Sequence, residues 1–463
     1  MPRNDQWTIA AAGRAFRSGE LSPVQLLESL LQRIRNEDDR YRSFLHLMED
    51  EARAQAAQAE RELRDGRDRG PLHGIPVSVK DMIAYAGVPL TNGSGRSPVP
   101  VPEAHARVVA KLLEAGSVII GKAHLYEFAY GRPHPAFGWT LNPLRPGRLP
   151  GGSSSGSAAG IAAGFALGSI GTDSAGSVRV PASFCGVAGF KPSAGHLSLD
   201  GITPLAPSLD HAGVLARTCE DVSLLFNALV ERSDEKGMRL MEESAENRMR
   251  LNVKVEQPDI RARATEKPLT IGVATDYLDA TAEPEIRDAV LGVVRAMEEA
   301  GFRVKRLNTK LPISQVKDKT WTILHYEAFR THRDKLADWS EGYSERMRNS
   351  LEAGRVITDS DYEACLSWRD SHRSLVDRLF EEIDVLVSPT CPVTAGPIPA
   401  GKPGGPSNGE FTPFANLWGL PALSLPVGLT SEGLPIGLQL TGRRGDDELV
   451  LAAGSLFERF VRG

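Results

Sequence analysis

The chain has little of what marks several large functional classes. Its four cysteines, Cys185, Cys219, Cys365 and Cys391, form no CxxC pair. That excludes a zinc knuckle and a disulfide framework, and it fits a reducing compartment. Basic residues (54) are outnumbered by acidic ones (59), and no basic stripe points to nucleic acid. No apolar run reaches the roughly 20 residues a membrane helix needs. The small-residue stretch 158–170 has GxxxG spacings but is too short and too glycine-rich to span. The N-terminus, MPRNDQWTIAAAGRAF, lacks the basic-then-apolar order of a signal peptide. A cytoplasmic protein without metal or cofactor is expected. None of the histidines lies in a recognisable catalytic motif, and His73, beside Gly74 at a strand entry, reads as structural. Phosphate loops are missing too: no GxxxxGK[ST] occurs, and no GxGxxG opens a βαβ unit.

What is present is a helix-then-strand rhythm. Ser22-Pro23-Val24-Gln25 reads as a capping box, followed by Leu26, Leu27, Leu30, Leu31 and Ile34 at helical spacing. Glu51–Arg64 reads as a second helix, Ile75–Lys80 as a strand, Glu103–Ala115 as a helix and Val118–Ile120 as a short buried strand. Glu231–Lys267 is charged, poor in large apolar residues, and reads as a surface insertion. The rhythm resumes with a strand at Leu269–Ala274, a helix at Glu283–Ala300 and a strand at Arg303–Leu307. A long helical region spans about Ser314–Glu382, and a strand follows at Asp384–Ser388. Pro397–Ser407 is a loop, and Ala422–Val427 with Ile436–Gly442 reads as a strand pair turning at Ser431-Glu432-Gly433. The fold class is α/β, with a large, mostly covered sheet.

Two glycine-rich loops carry the candidate chemistry. The first is GGSSSGSAAGIAAG, Gly151–Gly164; the second is GTDSAGSVRVPAS, Gly171–Ser183. Ser177 follows a turn of small residues that can aim several N–H groups at one point, which an oxyanion needs. If it also opens a helix through Phe184, the helix N-terminus adds positive potential. Lys80 ends an apolar strand, where burial favours a neutral amine able to accept a proton. Ser153, Ser154 and Ser155 can relay a proton, because a hydroxyl both donates and accepts. Gly152–Gly156 also matches the G-x-S-x-G elbow of α/β-hydrolases, with Ser154 as nucleophile. The residues before it, Arg148-Leu149-Pro150-Gly151, make a poor elbow strand.

These two loops together resemble the defining segment of the amidase signature hydrolases. GIPVSVKD resembles that family's lysine strand. LAPSLDHAGVLARTCEDVSLL, Leu205–Leu225, and NLWGLPALSLPVGLTSEGLPIGLQLTG, Asn416–Gly442, resemble its later segments. The likeness runs from about Leu21 to the end, apart from the insertion. It implies one amidase domain over 1–463: helices to about 70, the signature region 71–230, the insertion 231–267, and an α/β part from 268 that closes the pocket. It implies a catalytic set of Ser177, Ser153 and Lys80, with a cis Gly152–Ser153 bond and Ser154 in support. The N–H groups of Ser174, Ala175, Gly176 and Ser177 would form the oxyanion hole, steadied by Asp173 and Arg179. Two departures from the family pattern are Ala175 and Ser155, at positions where many members carry glycine.

The resemblance leaves the substrate open. Tyr130, Phe137 and Trp139, with Trp321, Tyr326 and Trp418, either line an apolar pocket or belong to the core. The favoured expectation is an aryl or hydrophobic amide or carbamate, hydrolysed by a monomer or homodimer. The alternatives are the A subunit of a glutamine-dependent tRNA amidotransferase, an α/β-hydrolase esterase, and a non-catalytic binder of the same fold. No acidic glutamine-binding match is evident near Phe411–Asn416.

Overall fold

Strands made of small and β-branched residues, covered on both sides, build the centre of the molecule. The computed structural model describes residues 7–95, 98–230, 269–307, 313–338, 342–398 and 409–462. The strands are β1 (Phe44–Leu47), β2 (Pro76–Lys80), β3 (Val118–Ala123), β4 (Gly168–Thr172), β5 (Ala188–Lys191), β6 (Ala212–Ala216), β7 (Thr270–Val273), β8 (Arg303–Arg306), β9 (Val385–Pro389), β10 (Ala422–Leu429) and β11 (Pro435–Thr441). They join in one mixed sheet, in the order β1-β3-β2-β4-β6-β5-β10-β11-β9-β7-β8. Parallel pairs are β2 with β3 and β4, and β7 with β8 and β9; the others are antiparallel. Every residue of β2 to β6 is buried, so helices cover both faces there.

Most expected elements are present, with shifted ends. The capping box forms: Ser22 and Gln25 bond reciprocally, and the helix runs Pro23–Tyr41. The helix expected from Glu103 starts only at Arg107. The Ala106 and Arg107 N–H groups donate instead to the Ala84 and Asp200 carbonyls, which holds the preceding residues extended. The long region after 313 divides into helices Ile313–Asp338, Glu345–Arg355 and Asp359–Glu382. The last two begin at Ser344 and Thr358, each accepting a backbone N–H as an N-cap. The charged insertion 231–267 lies outside the described residues, as does most of the loop at 397–407.

Three strands at the centre, β4, β5 and β6, carry no alternating pattern, because both of their faces are buried. Their glycines answer to close packing. A Cβ on Gly189 would come within 2.6 Å of the Ala182 Cβ, and one on Gly171 within 2.8 Å of the Ser154 Oγ. The sheet can therefore approach both serine loops closely. The β5–β10 pairing then joins the two halves of the chain, with Phe190 opposite Leu423.

Candidate active site

Lys80 and Thr172 are the last residues of two neighbouring parallel strands, β2 and β4. The Lys80 Nζ donates to the Ser153 Oγ at 2.7 Å and to the Thr172 Oγ1 at 2.8 Å. The lysine is fully buried. That burial lowers its pKa from 10.5 to about 7, against the opposing pull of Asp173 and Asp210. Lys80 thus sits near neutrality between charged and uncharged forms. Thr172 was not among the residues singled out from sequence, although it stands inside the second loop.

The first loop is locked in place from several sides. The Gly152–Ser153 peptide is cis. The Ser153 carbonyl accepts from the Tyr126 N–H at 3.1 Å, and the Ser154 N–H donates to the Ser177 carbonyl at 3.2 Å. The Ser154 Oγ donates to the Thr172 carbonyl at 3.2 Å. The helix that follows starts at Ser155 and ends at Ala162. Its first turn is pressed against the neighbouring chain segment: a Cβ on Gly156 would lie 2.2 Å from the Ser43 carbonyl oxygen. Ser155, where glycine is common, fits because its hydroxyl reaches the Thr140 Oγ1 at 3.2 Å.

The nucleophile-elbow reading of Ser154 finds no support in this geometry. No strand leads into Gly152, and the Ser154 side chain is fully buried.

Ser177 is half-buried, and its hydroxyl bonds to no described group. It does not itself open a helix, so the condition for added helix N-terminal potential at Ser177 is not met. The next helix is Arg179–Cys185, with Val178 as its N-cap. Four N–H groups were expected to face a common point. The Gly176 N–H instead donates to the Asp173 Oδ1 at 2.7 Å, which removes it from that set. The N–H groups of Ser174, Ala175 and Ser177 donate to no described group, so three remain available. Gly176 has φ +127°, and a Cβ there would lie 2.3 Å from the Thr412 Oγ1. Both features require glycine at this position.

A buried polar network fixes this turn. Arg179 forks onto Asp173, Nε to Oδ2 at 3.0 Å and Nη2 to Oδ1 at 2.9 Å. Burial alone would raise the Asp173 pKa; the Arg179 charge overcomes that and holds it well below the usual carboxylate range. The remaining Arg179 donors reach the Thr412 carbonyl, the Gln439 Oε1 and the Asn416 Oδ1. Asn416 in turn donates to the Asp173 carbonyl at 2.9 Å. Asp210, another residue the sequence did not single out, accepts from the Ser174 Oγ at 2.6 Å. Arg179→Met would leave Asp173 buried without its partner. The expected loss is about 3–5 kcal/mol of stability, read by urea unfolding.

The expected aromatics fall into two groups. Trp418 is buried, with its Nε1 donating to the Arg369 carbonyl. Tyr130 is buried too, with its hydroxyl on His325 and the Ser350 carbonyl. Tyr326 stacks on Tyr362 at 4.2 Å, and Trp321 packs against His325. Phe137 and Trp139 are half-buried. Trp139 meets Tyr126 edge-on, with centroids 5.8 Å apart. Tyr126 in turn lies against Gly152, where a Cβ would be 2.3 Å from its ring. Trp139 is therefore linked to the cis peptide of the first serine loop, and Phe137 reaches the same loop through His124, whose carbonyl accepts from the Gly156 N–H. Beside Thr172 and Ser174 a cavity of about 190 Å³ is lined by Met82, Ile202, Pro204, Pro207 and His211. Among the described residues no cluster of side chains could hold a metal ion, and no helix is long and apolar enough to cross a membrane.

A mixed sheet of this order, with two serine loops and a buried lysine at its strand ends, defines a class of hydrolase. The model of the family described as Amidase matches residues 25–451. An amidase of Pseudomonas putida is 34% identical, the alignment covering 98% of this chain and 95% of that one. The A subunit of the glutamyl-tRNA(Gln) amidotransferase of Chloroflexus aurantiacus is 32% identical over 98% of this chain and 96% of its own. The crystal structure of an amidase superposes with a TM-score of 0.85 at 32% identity, covering 98% of this chain and 100% of that one. A bacterial aryl acylamidase shares the fold at a TM-score of 0.83 and 24% identity, covering 98% of this chain and 96% of that one. The chain belongs to the amidase family, the amidase signature hydrolases of amide C–N bonds.

Proposed function

We propose that Ser177 is the nucleophile, Ser153 the relay and Lys80 the base of an amidase acting on aryl or hydrophobic amides, and on carbamates of similar shape. The observation that carries this reading is the 2.7 Å bond between a fully buried Lys80 and Ser153, on a lysine whose pKa lies at about 7. With Lys80 neutral, its lone pair accepts the Ser153 hydroxyl proton. Ser153 takes the proton of Ser177 as the Ser177 oxygen attacks the carbonyl carbon. That bond between the serines closes when substrate is bound, since such contacts tighten in the Michaelis complex. The N–H groups of Ser174, Ala175 and Ser177 receive the oxyanion. The proton returns through Ser153 to the leaving nitrogen, the C–N bond breaks and the amine departs. Water then gives its proton to the same relay, attacks the Ser177 ester and releases the acid. Thr172 holds the Lys80 amine in line.

Ser154, Asp173 and Arg179 have supporting roles in this reading: they keep the two loops in register. Trp139 and Phe137 supply an aromatic wall, and Tyr130 backs it from the core. The test is hydrolysis of 4-nitroacetanilide by the purified chain without partners. Trp139→Ala is expected to raise KM about fivefold with a smaller change in kcat, as for loss of about 1 kcal/mol of apolar contact. The second reading, the A-type component of an amidotransferase, is favoured by the 32% identity to such a protein. It predicts glutaminase activity that appears only with added partner proteins, and no anilide turnover by the single chain.

A further inference from the structure

We propose that Arg132 and Arg346 form a binding site for an anionic group, a carboxylate carried by the amide substrate. The inference rests on the amidase reading above and narrows its substrate class.

Arg346 is on the exposed face of the helix Glu345–Arg355, beside a depression of about 340 Å³ lined by Glu345, Arg346, Asn349 and Ser350. Arg132 arrives from the loop opposite. The preceding Gly131 abuts this helix, with the Ser350 Oγ 3.5 Å from where its Cβ would be. Tyr130 ties the same loop to the helix by donating to the Ser350 carbonyl at 3.1 Å. The two guanidinium groups are close enough to act on one another. Partial burial and then the Arg132 charge lower the Arg346 pKa. Neither forms an ion pair with any described residue. Glu345 lines the same depression and offsets one positive charge, which leaves the arginines in excess. Two like charges held together without a full counter-charge are unfavourable, and an added carboxylate relieves this. Arginine presents a planar fork of donors suited to that group.

The pair is also coupled to the reacting centre. The Arg132 guanidinium lies over the Trp139 ring, 5.8 Å from its centroid. Trp139 meets Tyr126, and Tyr126 covers Gly152 and donates its N–H to the Ser153 carbonyl. An anion between the arginines would lie at one end of this aromatic row, with the serines at the other. An aryl amide whose ring lies along Trp139 would place a ring or acyl carboxylate between them.

The test uses matched pairs. N-acetyl- and N-succinyl-4-nitroaniline differ by a carboxylate on the acyl side; acetanilide and 4-acetamidobenzoate differ by one on the amine side. Hydrolysis is measured with the parent chain and binding with the Ser177→Ala protein. In at least one pair the carboxylate-bearing member is expected to have a kcat/KM roughly tenfold higher and a correspondingly tighter Kd, the size of a charge-assisted contact discounted for exposure. The preference falls as salt rises. Arg132→Gln and Arg346→Gln abolish it, and Arg346→Lys restores part of it. Turnover of the neutral member reports that each variant is folded. Absence of preference in both pairs overturns the proposal, as does a preference that survives both glutamine variants or an equal loss of both members. If no neutral amide is hydrolysed, the amidase substrate reading fails, and the binding measurement still decides the anion site.

Discussion

A Ser177→Ala protein is expected to lose anilide hydrolysis by about 10⁴-fold or more while unfolding in urea at the same midpoint as the parent. The size follows from the role proposed for this hydroxyl, since no other described group is placed to form the ester. The unchanged midpoint follows from its surroundings. The Ser177 hydroxyl bonds to no described group, while its carbonyl, which accepts from the Ser154 N–H, is untouched by the substitution. Loss of activity together with loss of stability would instead make Ser177 a structural residue. Ser154→Ala distinguishes the two serine loops: it is expected to lower both stability and rate, because that hydroxyl bridges to the Thr172 carbonyl.

Lys80→Ala is expected to lower kcat/KM by about 10²–10⁴-fold, as for removal of a general base. The pH dependence adds a second signature. Only the neutral amine can accept the relay proton, and burial sets its pKa at about 7. The parent kcat/KM therefore rises as pH climbs through about 7 and is flat above. Below about pH 6 it falls about tenfold per unit. The alanine variant lacks this inflection. Stability carries the same sign. The folded pKa lies below the ordinary lysine value, so between about 7 and about 10.4 the unfolded chain holds a proton that the native state lacks. Parent stability therefore gains a contribution that rises with pH across that window, and the alanine variant lacks it. An activity profile without a limb near pH 7 would exclude Lys80 as the base.

Strands β2, β3 and β7 to β11 were legible in the sequence as short apolar or β-branched runs between turn residues, whereas the edge strand β1, only four residues long, was not. Ser22 marks a helix start by chemistry that is local. The N-caps Ser344 and Thr358, which divide the long helical region, were not read. The central strands β4, β5 and β6 were not legible. Their glycines and alanines answer to helices packed on both faces, and neither face gives a period. The position of Lys80 could be anticipated, because an apolar strand that ends in lysine is unusual. Thr172, Asp210 and Asn416 could not. Each reaches the site through a pairing made by the tertiary fold: β2 beside β4, the Ser174–Asp210 bond, and β10 beside β5. The turn proposed to receive the oxyanion was legible in its residue types but not in its count of free donors. Only the structure reveals that the Asp173 carboxylate takes up the Gly176 N–H. The aromatics divide for a related reason. Tyr130 and Trp418 have polar partners inside the fold, which no spacing along the chain encodes.

The central claim is that acyl transfer passes through Ser177, with Ser153 and Lys80 carrying the proton. Intact mass and peptide mapping after treatment with a fluorophosphonate test it most directly. The account predicts one adduct, on Ser177, formed at a rate that rises through pH 7 and is abolished in Lys80→Ala. An adduct on Ser154, or labelling of Ser177 that is indifferent to Lys80, would contradict it.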